Sequence, residues 1–232
     1  MELWNDLRLE RFVFEDRDAL IVFPEEGTSN GRMILKSEYW DAFPATEIAL
    51  VKQGFHLCFI KNVNRWGTDE VLDTQARFVR FVAEKYGLQQ KAVPVGMSCG
   101  GLIATKFAAK YPELVSCLYI DAPLLDLRTN GNPPSVREFL KVLNMETIEC
   151  LDDYHEMPIY KIPQLVANRI PVIMVIGGSD IIVPYEANGA LLEKAYRDAG
   201  IEIEVYCKPE CGHHPHGLED CKPVLDFIMA HS

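Results

Sequence analysis

Residues 96–100 read Gly-Met-Ser-Cys-Gly, a G-x-S-x-G pattern centred on Ser98. A serine hydroxyl becomes a strong nucleophile only when a base takes its proton and a carboxylate orients that base. Both residue types lie downstream. Asp180 follows the apolar run 171–178 in "PVIMVIGGSD", and the stretch 211–220, "CGHHPHGLED", holds three of the six histidines. Asp121, ending "YID", is a competing acid that fits the order and spacing less well. His213, His214, His216 and His231 all follow Asp180 and are open as the base. Cys99 stands beside the serine, where a helix start lowers a thiol's pKa. Its expected contribution is the backbone N–H.

The histidine loop also carries metal-ligand chemistry. Cys207, Cys211, His213, His214, His216 and Cys221 offer enough donors for tetrahedral zinc. Their spacing lacks the paired C-x2-C or H-x3-H elements of zinc motifs. The expectation is therefore no metal and no cofactor.

These residues need a frame that brings them together. Runs at 18–24, 55–60, 92–97, 117–121, 171–178 and 201–206 read as strands, most of them continuously apolar as in parallel sheets covered on both faces. The run 201–206 alternates and suits an edge strand, and 7–15 alternates as an antiparallel strand would. Amphipathic segments separate them. That over 68–87 opens at Thr68 and closes at Gly87, as capped helices do. Strand–helix alternation predicts an α/β fold with a mostly parallel sheet and helices on both faces. One domain over 1–232 is expected, with residues 122–170, too long for a simple crossover, as a small cap or lid insertion. In that frame Ser98 sits on a sharp strand-to-helix turn and Asp180 at a strand's C-terminal end, where such sheets place their chemistry.

Composition narrows the classes further. The chain has 232 residues and a formal charge of −11. An acidic surface repels phosphate backbones and anionic lipid, so neither nucleic acid nor membrane is an expected partner. The first sixteen residues lack the apolar core of a secretory signal, and seven scattered cysteines suit a reducing compartment. A cytoplasmic protein is expected, and a homodimer is left open.

"GMSCGG", "GGSDIIVP" and "GHHPHGLED", in that order, resemble the α/β-hydrolase superfamily, and the likeness spans roughly residues 18 to 230. The loop resembles the G-H-x-P-H loop of many such hydrolases, in which the histidine after the glycine is catalytic. The resemblance thus implies Ser98, Asp180 and His213 as a triad. The layout is also similar to compact bacterial esterases. Those often carry arginine where this chain has Cys99, a departure that bears on substrate and leaves the triad intact.

The implied activity is hydrolysis of a small carboxylic ester through an acyl-enzyme, the ester being carbohydrate-linked or aromatic. The alternatives are a peptidase or amidase on the same triad, or a lyase or binding protein of the same fold. The oxyanion would be held by the Cys99 N–H and a second donor from the loop 24–40, with Gly27 and Lys36 as candidates. Trp40, Trp66, Met97, Tyr154 and His214 are expected to contact the substrate, with Tyr39 and Arg65 nearby. The plainer reading of His214 and His216 is that they satisfy polar groups within the loop.

Overall fold

A computed structural model describes residues 2–232. Nine strands form one sheet: β1 (Glu2–Trp4), β2 (Leu7–Phe14), β3 (Arg17–Val22), β4 (Met33–Lys36), β5 (His56–Ile60), β6 (Ala92–Met97), β7 (Leu118–Asp121), β8 (Val172–Gly177) and β9 (Ile203–Lys208). Their spatial order is β1-β2-β3-β5-β4-β6-β7-β8-β9. The pairs among β1, β2, β3 and β5 are antiparallel, and every pair from β5 through β4 to β9 is parallel.

The parallel strands are buried on both faces because helices cover both. α1 (Ala45–Lys52) and α7 (Lys222–His231) lie on one face, where Leu50, Val51, Val224, Phe227 and Ile228 meet Ile34, Val93, Val95, Ile173 and Val175. α2 (Asp69–Tyr86), α3 (Cys99–Lys110) and α6 (Gly189–Asp198) cover the other, with Val79, Leu102, Ile103, Phe107 and Leu192 against Leu35, Ile120, Val172 and Met174. Alternate residues of β8 thus serve opposite cores, as the two-residue period of a strand requires. α2 begins after Thr68 and closes at Gly87 with φ 66°, the left-handed C-terminal cap that glycine adopts without steric cost.

Two strands carry no clear signal in the sequence. β1 is three residues long and antiparallel to β2. β4 is only "MILK", yet it lies between β5 and β6 with all four residues buried. The lysine that ends it is buried because its ammonium pairs with Glu47 of α1 and also donates to the Ala42 carbonyl at 3.2 Å. Residues 122–170 carry two helices, α4 (Pro133–Val142) and α5 (Ile162–Ala167), among short 3-10 turns. Phe139, Leu151, Met157 and Leu165 tie this segment into the α2/α3 core. No helix among the described residues is long and apolar enough to cross a membrane.

Candidate active site

Ser98 stands between β6 and α3 with φ 54° and ψ −120°. Such a conformation costs of order 1–3 kcal/mol and persists only when its surroundings enforce it. Here they do. The Ser98 N–H donates to the Asp121 carbonyl at 2.9 Å, and the Ser98 carbonyl accepts from the N–H groups of Gly101, Leu102 and Leu124 at 3.0–3.2 Å. Gly96 is required because a Cβ there would overlap the Gly100 carbonyl as α3 doubles back on β6. The hydroxyl is left at the sheet's C-terminal edge, beside the first free amides of a buried helix.

The acid arrives on the turn after β8. Asp180 is 7% exposed, and its Oδ1 accepts from the N–H groups of Ile182 and Val183 at 2.8 and 2.9 Å. Its Oδ2 lies 2.7 Å from His213 Nδ1, and His213 Nε2 lies 2.9 Å from Ser98 Oγ. Burial alone would raise the Asp180 pKa, but the bonds from His213, Val183 and Ile182 outweigh it and hold the carboxyl below its ordinary value. The loop bearing His213 is fixed to the acid's turn: Ser179 N–H donates to the Cys211 carbonyl at 2.9 Å, Ser179 Oγ to Pro209 at 3.0 Å, and Gly177 runs directly against the Gly212 carbonyl. Lys208 Nζ secures the far side by donating to the carbonyls of Pro215 and Gly217.

Asp121 and His216 form a second pair. His216 Nδ1 lies 2.5 Å from Asp121 Oδ1, Asp121 Oδ2 accepts the Gly217 N–H at 2.6 Å, and both residues are buried. Asp121, the competing acid, therefore orients a different histidine. Spacing ranks Asp180 above Asp121 but does not assign each histidine to its acid, because Asp121 ends β7, Asp180 follows the neighbouring β8, and both histidines share one loop. The His216 ring stands edge-on to His213, with centroids 5.1 Å apart. His214 is exposed and stacks on Phe43. Its pKa is held below the ordinary imidazole value, first by partial burial and then by the charges of His216 and His213. The three histidines gather while the neighbouring cysteines stay apart: Cys211 Sγ turns to the His214 carbonyl at 3.3 Å, and Cys207 is exposed on β9.

A cavity of ≈ 280 Å³ opens over Ser98. Met97, Leu124, Ile182 and Val183 form an apolar wall; Tyr39, Arg65, Asn130, Asn132 and Ser135 form a polar one. His214 and Cys99 also line it. Burial pushes the Cys99 thiol pKa up, even with Tyr39 and Arg65 beside it, so this thiol is not primed to compete with the serine. Arg65 donates to Glu138 of α4 and to the Tyr39 hydroxyl, bridging residues 122–170 to the cavity.

Several expected site residues lie elsewhere. Trp40 packs between Trp4 and Phe59 on the α1/α7 face. Trp66 is 1% exposed; its ring meets Phe139 and its Nε1 donates to Glu138. Tyr154 packs on Phe139. These aromatics hold loops together and do not line the cavity. Gly27 lies in the β3–β4 loop, in a separate depression with Arg8, Phe23 and His56. Lys36 is inside the sheet, its ammonium spent on Glu47. The physical reason for both misplacements is β4: the loop that reaches the serine follows β4, not β3. Ser37 N–H is used by the Val95 carbonyl, and Glu38 lies beside Gly100 of α3. The segment that follows β4 thus passes beside the first turn of α3.

The family model for the alpha/beta hydrolase fold matches residues 61–146. None of the curated proteins matches the chain. Among solved structures, dipeptidyl peptidase 4 of Porphyromonas gingivalis superposes with a TM-score of 0.73 at 15% identity, over 99% of this chain and 36% of its own. The acylaminoacyl peptidase of Pyrococcus horikoshii gives 0.69 at 14%, over 89% and 37%. A Staphylococcus aureus protein assigned as an esterase gives 0.72 at 17%, over 98% of this chain and 84% of its own. The chain thus spans little more than a third of the peptidases but most of the assigned esterase. At such identities the likeness is one of fold.

Proposed function

Because the chain is an α/β-hydrolase-fold protein, we propose that it is a serine hydrolase that cleaves a small carboxylic ester through an acyl-enzyme. The observation that carries this reading is the continuous hydrogen-bonded path from Asp180 Oδ2 through His213 to Ser98 Oγ. Asp180 holds His213 in the tautomer with Nδ1 protonated, which leaves the Nε2 lone pair facing the serine. His213 takes the serine's proton as Oγ attacks the acyl carbon. The imidazolium that results is stabilised by Asp180 and returns the proton to the leaving alcohol. The Cys99 N–H and a second amide from the segment after β4, Glu38 being the candidate, receive the oxyanion, each such donor being worth about 10²–10³ in turnover. Water activated by the same histidine then frees the acid.

The cavity favours a short acyl group against Met97, Leu124 and Val183, with a polar alcohol toward Asn130, Asn132, Ser135 and Arg65. A sugar-linked ester suits that polarity. Residues 122–170, which supply the three polar side chains from Asn130 to Ser135, act in this reading as the cap over the site.

A second reading, peptidase or amidase, is favoured by the peptidase neighbours. One comparison separates them: p-nitrophenyl acetate, butyrate and octanoate, with acetylated and feruloylated sugars, against aminoacyl p-nitroanilides. The ester reading expects kcat/KM highest for short or sugar esters and abolished by Ser98→Ala. A preference for the anilides would replace it with the peptidase reading. No turnover of any substrate by a folded protein would leave a lyase or binding role.

A further inference from the structure

The mechanism uses one ring of the histidine loop, and the loop brings three together. The ligating nitrogens of His213, His214 and His216 all lie within 4.8 Å of one another. Two of the three rings are oriented by carboxylates through Nδ1: His213 by Asp180 at 2.7 Å and His216 by Asp121 at 2.5 Å. Each therefore has its Nδ1 engaged, which leaves Nε2 as the ligating atom, and both residues line the cavity. A histidine held through its other nitrogen by a carboxylate is the arrangement that fixes and strengthens imidazole ligands to metals. The third ring, His214, is exposed, makes no side-chain hydrogen bond among the described residues, and stacks on Phe43 while standing edge-on to the rings of His213 and His216.

We propose that His213, His214 and His216 form a site for a borderline transition-metal dication, Zn²⁺ above all, and that the ion reversibly inhibits the enzyme by occupying the base. Three imidazoles select Zn²⁺ or Cu²⁺ and offer little to Mg²⁺ or Ca²⁺, which take oxygen ligands. Zn–N bonds of about 2.0–2.1 Å join nitrogens about 3–4 Å apart. Closing the set around an ion therefore needs a movement of about an ångström, which the exposed His214 ring can make. Asp121 and Asp180 supply negative charge behind two of the ligands. The fourth position is open to water or to the Ser98 hydroxyl. Coordination consumes the Nε2 lone pair of His213, the same pair that accepts the serine's proton. No bond other than the metal–ligand bonds forms, and the hydrogen bond from Ser98 is displaced. The site itself does not depend on the ester reading; only its inhibitory effect does.

The test separates the two. Zn²⁺ is titrated calorimetrically into metal-free wild type and Ser98→Ala, and Co²⁺ is followed by its visible absorption. One equivalent should bind in both, with His214→Ala and His216→Gln each weakening it at least tenfold. Asp121→Asn should weaken it about 10–100-fold through His216. On the ester substrate, Zn²⁺ should abolish turnover over the same concentration range, a chelator should restore it, and Mg²⁺ should have no effect. Zinc binding equally tight in wild type, His214→Ala and His216→Gln would overturn the site. Saturation of the site with turnover unchanged would overturn the inhibition. His214 is exposed, so its alanine variant should fold even if a His216 variant does not. Because the calorimetry uses Ser98→Ala as well, an inactive protein still decides the binding claim.

Discussion

Asp180→Asn should cost between about 30-fold and about 10⁴-fold in kcat while leaving the protein folded. The replacement is isosteric, and the structure dictates how it must sit. Oδ1 of Asp180 accepts two backbone hydrogen bonds, from Ile182 and Val183. An asparagine can keep those bonds only by placing its carbonyl oxygen there, which turns its NH₂ toward His213 Nδ1. Two donors cannot face each other, so Nδ1 loses its proton and Nε2 gains it. A protonated Nε2 facing Ser98 Oγ cannot act as base. The productive tautomer requires the flipped amide, with NH₂ against two N–H groups. That flip strands both donors at roughly 1–3 kcal/mol each, or about 2–6 kcal/mol together. At 1.36 kcal/mol per tenfold in rate, the productive fraction falls by about 30-fold to about 10⁴-fold; the upper end is the loss of about 10⁴ known when a triad aspartate becomes asparagine. The assay is steady-state hydrolysis of p-nitrophenyl acetate near neutral pH, with thermal melting as the control for folding. Asp121→Asn is the internal comparison. It orients His216, so its effect on kcat should stay within about tenfold while its melting temperature falls. Activity of Asp180→Asn within tenfold of wild type, or equal losses in the two variants, would refute the assignment of the acid.

Other consequences are independent of that chemistry. Gly96→Ala forces a Cβ onto the Gly100 carbonyl and should cost about 3 kcal/mol in urea unfolding, at the upper end of overpacking effects. Lys36→Met strands the buried Glu47 carboxylate and should cost about 3–5 kcal/mol, whereas Lys36→Met with Glu47→Leu should recover most of it. Lys106 is 6% exposed, and burial lowers its pKa from 10.5 to about 8. The unfolded chain then binds the proton more tightly, so stability should rise as pH climbs from about 8 toward 10.5, by about 3 kcal/mol. Lys106→Met should raise the melting temperature at neutral pH and remove that rise. Asp180 behaves in the opposite sense. Its depressed carboxyl contributes stability above the unfolded-state pKa that is lost as acid protonates the folded form, so Asp180→Asn should flatten the acid limb of the melting curve.

How much of this is legible without coordinates depends on the range of the interaction. The G-x-S-x-G turn is local, since an apolar strand, two small residues and a helix force it, and Ser98 sits as that pattern requires. The chain order serine, aspartate, histidine runs with the sheet, because β6, β7, β8 and β9 lie side by side in sequence order and Ser98, Asp180 and His213 follow β6, β8 and β9. The segment after β4 is not legible in the sequence because β4 has four residues and ends in lysine, a signal that only the partner Glu47 on α1 makes sense of. Trp40, Trp66 and Tyr154 lie away from the cavity for a related reason. Large aromatics near a site in sequence are as useful for packing loops as for touching substrate, and their direction is set by Phe59 and Phe139, which are distant in the chain. The Asp121–His216 pair depends on which of two histidines, three residues apart, meets which of two adjacent strand ends. That choice is made by the course of the loop.

The most direct test of the central claim is covalent. A fluorophosphonate reacts with a serine only when a base activates it, so wild-type protein should incorporate one equivalent, with the adduct on a peptide containing Ser98. Ser98→Ala should incorporate none and Asp180→Asn should label far more slowly. Equal labelling of wild type and Ser98→Ala, or no labelling of folded wild type, would contradict the account.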